Sequence, residues 1–329
     1  EKERKNQRVT KSYPHRNRCT TLSRGGSDLD EIGGLRLGGN QHSIGGRVSH
    51  DNIEMKQDNS LGLASLTGSN STSQTYPTGR VALSFKWTND IQSYVSVARG
   101  HASRVYPLFS YPVDGIVGNP YPAALGWTYE AGVKADLLSH RLQIDASVYH
   151  NDIKNGVMSY LDPSLGAFRT TYQDYKTSGF ELQARALIAE GLSFSGGVGY
   201  IHSELGANGA AVNTVTGNPV PNTPKWTATA GLQYETSAKA IHLPGKLSAD
   251  LQYQYTGKRT ADIDKSYYLD AYSLVNAQIG WKNKDLEVYL FGRNLFDKRY
   301  ETFGSLYSGM QLVSVGRGRT LGVGLTKSF

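Results

Sequence analysis

The sequence predicts an all-β fold: a transmembrane, antiparallel, up-and-down β-barrel. Three observations carry this. Twelve strand-like segments follow one another from Ile44 to the end of the chain. Short turns and long connections alternate between them. Within the segments apolar residues keep to one face, and the large aromatics on that face gather toward the segment ends.

The segments run over approximately 44–55, 79–88, 91–100, 127–138, 141–153, 177–189, 192–203, 225–235, 246–256, 272–282, 286–297 and 317–329. Most exceed the roughly five or six residues of a soluble strand and suit a tilted strand that crosses a bilayer. Short turns fall at 89–90, 138–140, 190–191 and 283–285, with a longer one at 236–245. Long connections fall at 56–78, 101–126, 160–176, 204–224, 257–271 and 298–316. Short turns on one rim and long loops on the other are how membrane barrels are wired.

The two faces differ in chemistry. Val81, Leu83, Phe85 and Trp87 alternate with Arg80, Ala82, Ser84 and Lys86, and Leu247, Ala249, Leu251 and Tyr253 alternate with Ser248, Asp250 and Gln252. A soluble sandwich alternates as well, so the placement of the aromatics is the sharper test. On the apolar face Trp127, Tyr129, Trp226, Tyr253 and Tyr255 fall near the long-loop rim, whereas Trp87, Tyr234, Trp281 and Phe329 fall near the short-turn rim. Two such girdles belong to a lipid-facing surface. In the hairpin over 273–297, Leu286, Val288 and Leu290 are expected to face lipid and Glu287 and Arg293 the lumen. Tyr289 and Phe291 share the inner parity and fit it less well.

Composition narrows the function classes. Glycine (37) and tyrosine (21) are abundant while methionine (3) and cysteine (1) are scarce, a profile of turns and aromatic-rich strands. Cys19, the single cysteine, allows no internal disulfide. The net charge of +7 comes largely from residues 1–25, which hold eight Lys/Arg and two acids. A basic leader of that kind is read as disordered or aberrant rather than as a nucleic-acid arm, and residues 1–40 are set apart from a barrel over 41–329. No apolar run long enough for a helical span occurs.

Several segments resemble the C-terminal half of the barrel of TonB-dependent receptors. These are "LGWTYEAGVKADLLSHRLQIDASVYHNDIKN" (125–155), "KTSGFELQARALIAEGLSFSGGVGYIHSEL" (176–205), "NTPKWTATAGLQYE" (222–235), "GRNLFDKRYE" (292–301) and the terminal "GRGRTLGVGLTKSF". The resemblance implies a 22-stranded barrel in the bacterial outer membrane, of which this chain would supply about the last twelve strands. It further implies a plug domain and a coupling motif, neither of which the sequence shows, so a truncated or frame-shifted reading frame is expected. It also implies a receptor whose intact parent imports a scarce ligand, foremost a ferric siderophore, driven by the TonB complex acting through the missing N-terminal part. Outer-membrane lipid is the other expected partner; no nucleic acid, no cofactor and no enzymatic role are expected. A passive porin-like small barrel and a soluble β-sandwich adhesin are the rival readings.

No catalytic or metal-ligating spacing stands out: the eight histidines form no HExxH or Cys/His pattern. "GVGLTKS" (322–328) has the look of a phosphate loop, but Thr326 stands where the second glycine is needed. The long loops offer candidate ligand contacts in Arg104, Tyr106, Phe109, Tyr111, Tyr121, Tyr267 and Tyr268, since rigid rings beside a cation suit an anionic aromatic chelate. The reading that these tyrosines brace the loops or sit at the outer interface is the one the sequence favours. Glu130, Lys134, Asp136, Glu181, Arg185 and Asp250 are expected in the lumen, against a plug or against water.

Overall fold

The computed structural model describes residues 18–25, 29–37, 40–58, 68–106, 119–162, 167–209, 216–307 and 310–328. The strands are β1 (Arg18–Gly25), β2 (Leu29–Leu37), β3 (Asn40–Asp58), β4 (Gly68–Lys86), β5 (Ile91–Ala102), β6 (Ala124–Leu137), β7 (Leu142–Asp162), β8 (Ala167–Ala189) and β9 (Leu192–Gly209). They continue with β10 (Trp226–Ser237), β11 (Lys246–Thr256), β12 (Arg259–Thr260), β13 (Tyr268–Leu269), β14 (Tyr272–Asn283), β15 (Leu286–Arg293), β16 (Glu301–Tyr307), β17 (Met310–Val315) and β18 (Thr320–Lys327). One 3-10 turn, Ala238–Ile241, lies between β10 and β11.

Fourteen of these strands make one antiparallel sheet in the order β1-β3-β4-β5-β6-β7-β8-β9-β10-β11-β14-β15-β18, with β2 also on β3. The twelve segments read from the sequence are β3 to β11, β14, β15 and β18. β1 and β2, inside the segment assigned to a leader, pair with the two halves of β3. Among the described residues β18 does not pair back to β1, so the sheet is an open arc of barrel wall. Among the described residues no second sheet covers its apolar face, which corrects the sandwich reading, and no closed twelve-stranded barrel is formed.

The connections differ from expectation in one respect. Segments 56–78, 160–176 and 204–224, expected as long loops, are in part strand: β3 and β4 extend to 19 residues each, β7 to 21, β8 to 23 and β9 to 18. A strand needs only about 9–11 residues to cross the bilayer, so these hairpins stand well clear of it. Beyond lipid neither face need be apolar, and Ser/Thr-rich stretches such as "GSNSTSQTY" keep their β-propensity without any hydrophobic alternation. Short hairpins also form inside two long connections, β12–β13 and β16–β17.

Register fixes the faces. One hydrogen-bonded row runs Leu83, Val95, Ala131, Val148, Phe180, Tyr200, Trp226, and another Leu251, Ala277, Gly292, Leu321. Val95, Val148, Trp226, Leu251 and Leu321 are all exposed, as lipid-facing side chains are in a protein viewed alone.

The aromatics on this face report the strand tilt. The row through Trp127 leads to Asp152, Lys176 and Glu204, whereas the row through Trp226 leads back to Ala131. On β6 the two rows are four residues apart, from Trp127 to Ala131, while β6 and β10 are four strands apart. At the short-turn rim Trp281 lies on the row of Leu247 and Thr236, two residues beyond Tyr234 and two strands away. Both pairs give one residue per strand. With about 3.3 Å per residue and about 4.8 Å between strands, a level ring of aromatics then requires a tilt of about 35°, the membrane-barrel range.

The inner face answers the doubt over Tyr289 and Phe291. Tyr289 pairs with Gly324 and Phe291 with Gly322, and each ring lies where a side chain on that glycine would stand. Tyr94 covers Gly132 in the same way, and Tyr149 covers Gly179. A large ring is accommodated on the lumen side because its neighbour lacks a Cβ.

Candidate functional site: the inner wall and the outer loops

The six charged residues expected in the lumen share the inner face. Lys134 and Asp145 are register partners whose charges lie 3.8 Å apart. Glu130 accepts a hydrogen bond from the Tyr94 hydroxyl. Glu181 faces Ser147 and Gly199, Arg185 faces Gln143 and Ser195, and Asp250 faces Gln233 and Gln278. Arg185 and Asp250 line one concavity of about 580 Å³ together with Gln252 and Asn276. Glu181 and Arg185 line a second of about 400 Å³. Lys134 and Glu181 line a third of about 170 Å³. The wall is therefore a continuous polar trough. At its short-turn end Asp136 meets His140 at 2.6 Å, and that hydrogen bond raises the imidazole above its ordinary value.

The loop candidates separate into two groups. Tyr106 is buried, 2% exposed, against Ile53 and Met55 of β3. Arg104 donates to the Thr72 hydroxyl at 2.9 Å. Segment 101–106 thus braces the β3–β4 hairpin. Tyr121 bridges to Val105, donates to the Thr170 carbonyl and leans on Tyr172 at 5.6 Å. Tyr267 is 8% exposed, packed with Ala261 and Leu269, and its hydroxyl donates to Glu301 at 2.6 Å. Burial, then Glu301, pushes that phenol up to about 12. Tyr268 is different: it is 43% exposed, and the Lys258 ammonium stands 4.9 Å from its ring centre. Phe109 and Tyr111 lie outside the described residues, as does Phe329.

Two clusters escaped the sequence reading. Asp51 accepts from the hydroxyls of Tyr76 and Ser103, chiefly the latter holding its carboxyl below the usual range, and His101 stacks on Tyr76 at 3.3 Å. These partners are separated by up to 52 residues, a distance no local pattern bridges. On the second hairpin β7 and β8 each interrupt their pairing, around Asn155 and Asp174. Asn155 adopts a left-handed backbone (φ 54°), its amide donates to Asp174 Oδ1 at 2.8 Å, and Lys154 Nζ lies 3.2 Å from Asp174 Oδ2. This elbow sets where the β7–β8 hairpin leaves the wall.

A broad wall with lipid-facing rows, a polar inner trough and long, internally braced outer loops defines a large outer-membrane barrel. The chain belongs to the TonB-dependent receptors: the family model described as "TonB dependent receptor-like, beta-barrel" matches residues 36–295. Among relatives, the pesticin receptor of Yersinia pestis is 24% identical over 252 residues, covering 76% of this chain and 36% of that protein. The metal-pseudopaline receptor CntO of Pseudomonas aeruginosa is 29% identical over 218 residues, 65% of this chain and 29% of that one. The chain thus spans about a third of the length of these relatives. Among solved structures, the ferric yersiniabactin uptake receptor FyuA of Yersinia pestis superposes with a TM-score of 0.75 at 20% identity, over 94% of this chain and 46% of that one. The siderophore receptor PiuA of Acinetobacter baumannii gives 0.71 at 22% identity, over 94% and 44%. At these identities the structures speak for the fold. Each of these proteins is a receptor by name.

Proposed function

We propose that this wall serves a receptor that takes a ferric siderophore across the outer membrane with energy from the TonB complex. The observation that carries the reading is the exposed pair of Tyr268 and Lys258, an aromatic face and an ammonium 4.9 Å apart at the loop rim. An anionic aromatic iron chelate can stack on the first and pair with the second. The names of two structural relatives, a ferric yersiniabactin uptake receptor and a siderophore receptor, support the same cargo class. Arg104, Tyr106, Tyr121 and Tyr267 then hold the loop frame. Glu130, Lys134, Asp136, Glu181, Arg185 and Asp250 would face a plug across the trough.

The test is uptake of labelled ferric siderophore by a receptor-deficient host expressing the receptor that carries this wall. Saturable uptake, abolished when the inner-membrane proton gradient is dissipated, is expected. Tyr268→Ala should raise the half-saturating concentration while leaving the amount of receptor unchanged. Uptake that grows linearly with concentration and ignores the gradient would mark a passive pore instead.

A further inference from the structure

We propose that residues 101–106, at and after the end of β5, form an acid-released latch on the β3–β4 hairpin, with His101 as the group whose protonation opens it. Four contacts fasten this segment across one face of the hairpin. The His101 ring stacks on Tyr76 of β4, with ring centres 3.3 Å apart and planes 14° from parallel. The Ser103 hydroxyl donates to Asp51 of β3. Arg104 donates to the Thr72 hydroxyl, and Tyr106 is buried against Ile53 and Met55. Register sets these anchors side by side, since Asp51 pairs with Gln74, Ile53 with Thr72 and Ser49 with Tyr76.

The seam under the latch leaves polar atoms unmet. Both ring nitrogens of His101 are buried and find no hydrogen-bond partner among the described residues, and the same holds for Gln74 Oε1, Arg104 Nε and the Tyr106 hydroxyl. A neutral imidazole leaves one donor and one acceptor unsatisfied there, whereas an imidazolium leaves two donors and a charge. Burial therefore costs the protonated ring more.

The groups around the ring decide whether anything offsets that cost. β3 contributes Asp51 and, beside it, His50, which is exposed and held by the Thr75 hydroxyl at 2.6 Å. β4 contributes the Tyr76 phenol, which itself donates to Asp51 at 2.8 Å. Arg99 precedes the ring on β5 and Arg104 follows it. β6 sets Leu125 opposite His101, and Lys154 beyond it on β7 is taken by Asp152 and Asp174. Asp51 is thus the carboxylate of this seam, and it already accepts from two hydroxyls. Burial outweighs its attraction, and Arg99 adds repulsion, so the imidazole is held below its ordinary value. The Ser103 hydroxyl keeps the Asp51 carboxyl below the usual carboxylate range, so Asp51 stays ionised at mildly acid pH and His101 is the group that titrates. A value lower in the closed form than in the free side chain means that closure is fully stable above about pH 6.5 and weakens as the pH falls beneath it. Once released, the segment uncovers Ile53 and Met55.

The test is hydrogen exchange read by mass spectrometry on the purified receptor in mild detergent, at about pH 7.5 and about pH 5, with exchange times scaled for the intrinsic rate. Peptides covering 102–106 and 49–56 should lose protection by about tenfold or more at the lower pH, with a ceiling of about thirtyfold set by a free imidazole at about 6.5. His101→Phe keeps a ring on Tyr76 and takes no proton, so its protection should be the same at both values. His101→Gln, neutral throughout, decides the matter if the phenylalanine variant fails to fold. Ser103→Ala should lower protection at pH 7.5 and retain the acid response, and His50→Gln should behave as the unaltered receptor. An equal fall in His101→Phe, or no fall in the unaltered receptor, would remove His101 from the role. Protection that rises at pH 5 would show the imidazolium tightening onto Asp51, which overturns the proposal in the opposite sense.

Discussion

Replacing Leu251 by arginine tests the facing of the whole wall at one position. Leu251 is 45% exposed and stands on a row with Leu232 and Ala277. It lies four residues from Tyr255 at the long-loop girdle and four from Leu247, the partner of Trp281 at the short-turn girdle. Four residues are about 13 Å of strand, and at a tilt of about 35° about 11 Å along the barrel axis. Leu251 is thus about midway across an apolar band of about 25 Å, where an arginine costs roughly 2–4 kcal/mol. The adjacent Gln252 faces the polar trough, so Gln252→Arg should cost well under 1 kcal/mol by the same scale. Folding equilibria in urea with phosphatidylcholine vesicles, followed by tryptophan emission, give both numbers. Equal costs at 251 and 252 would refute the facing assignment, and with it the tilt derived from the girdles.

Two further outcomes follow from the loops. Asp174→Ala removes the acceptor of both Lys154 and the Asn155 amide, so the β7–β8 elbow should lose roughly 1.5–3 kcal/mol. Limited proteolysis should then cut within 156–173 while the membrane-level strands stay protected, and an unchanged digestion pattern would deny the elbow its role. Tyr267, held near 12 in the folded loops against the usual 10, binds its proton more tightly when folded, so the contact with Glu301 persists below pH 10 and is lost between pH 10 and 12. Tyrosinate absorbance should show a late-titrating fraction that falls by one phenol in Tyr267→Phe; an unchanged late fraction in that variant would contradict the buried contact.

Much of the wall is legible in the sequence because lipid imposes strict alternation, and a strand such as "KLSADLQYQYT" has little freedom to be anything else. Where that constraint ends, legibility ends. The outer half of β4 carries Ser, Thr, Asn, Gln and Tyr with no apolar face, so nothing in its period marks it as a strand. The contacts of the outer loops are invisible for a second reason: Asp51 meets Ser103, Tyr267 meets Glu301 and Asn218 meets Ile263 across 34 to 52 positions. Stacking capacity could be read from the tyrosines, but not which of them are spent on bracing. Tyr268 and Tyr267 are neighbours, and burial alone tells them apart.

The glycine and ring pairs of the last hairpin bear on how the wall acquires a single register. Tyr289 lies on Gly324 and Phe291 on Gly322. A slip of one residue between β15 and β18 would bring Val323 or Leu325 into the trough, which the two faces forbid. A slip of two keeps the faces but sets Phe291 against Thr320 in one direction, or Tyr289 against Thr326 in the other, and each breaks one ring-on-glycine fit. The terminal strand can therefore dock without a step in only one of three otherwise similar alignments. During assembly the rings act as a gauge, rejecting a misregistered closure before any loop or ligand is in place to detect it.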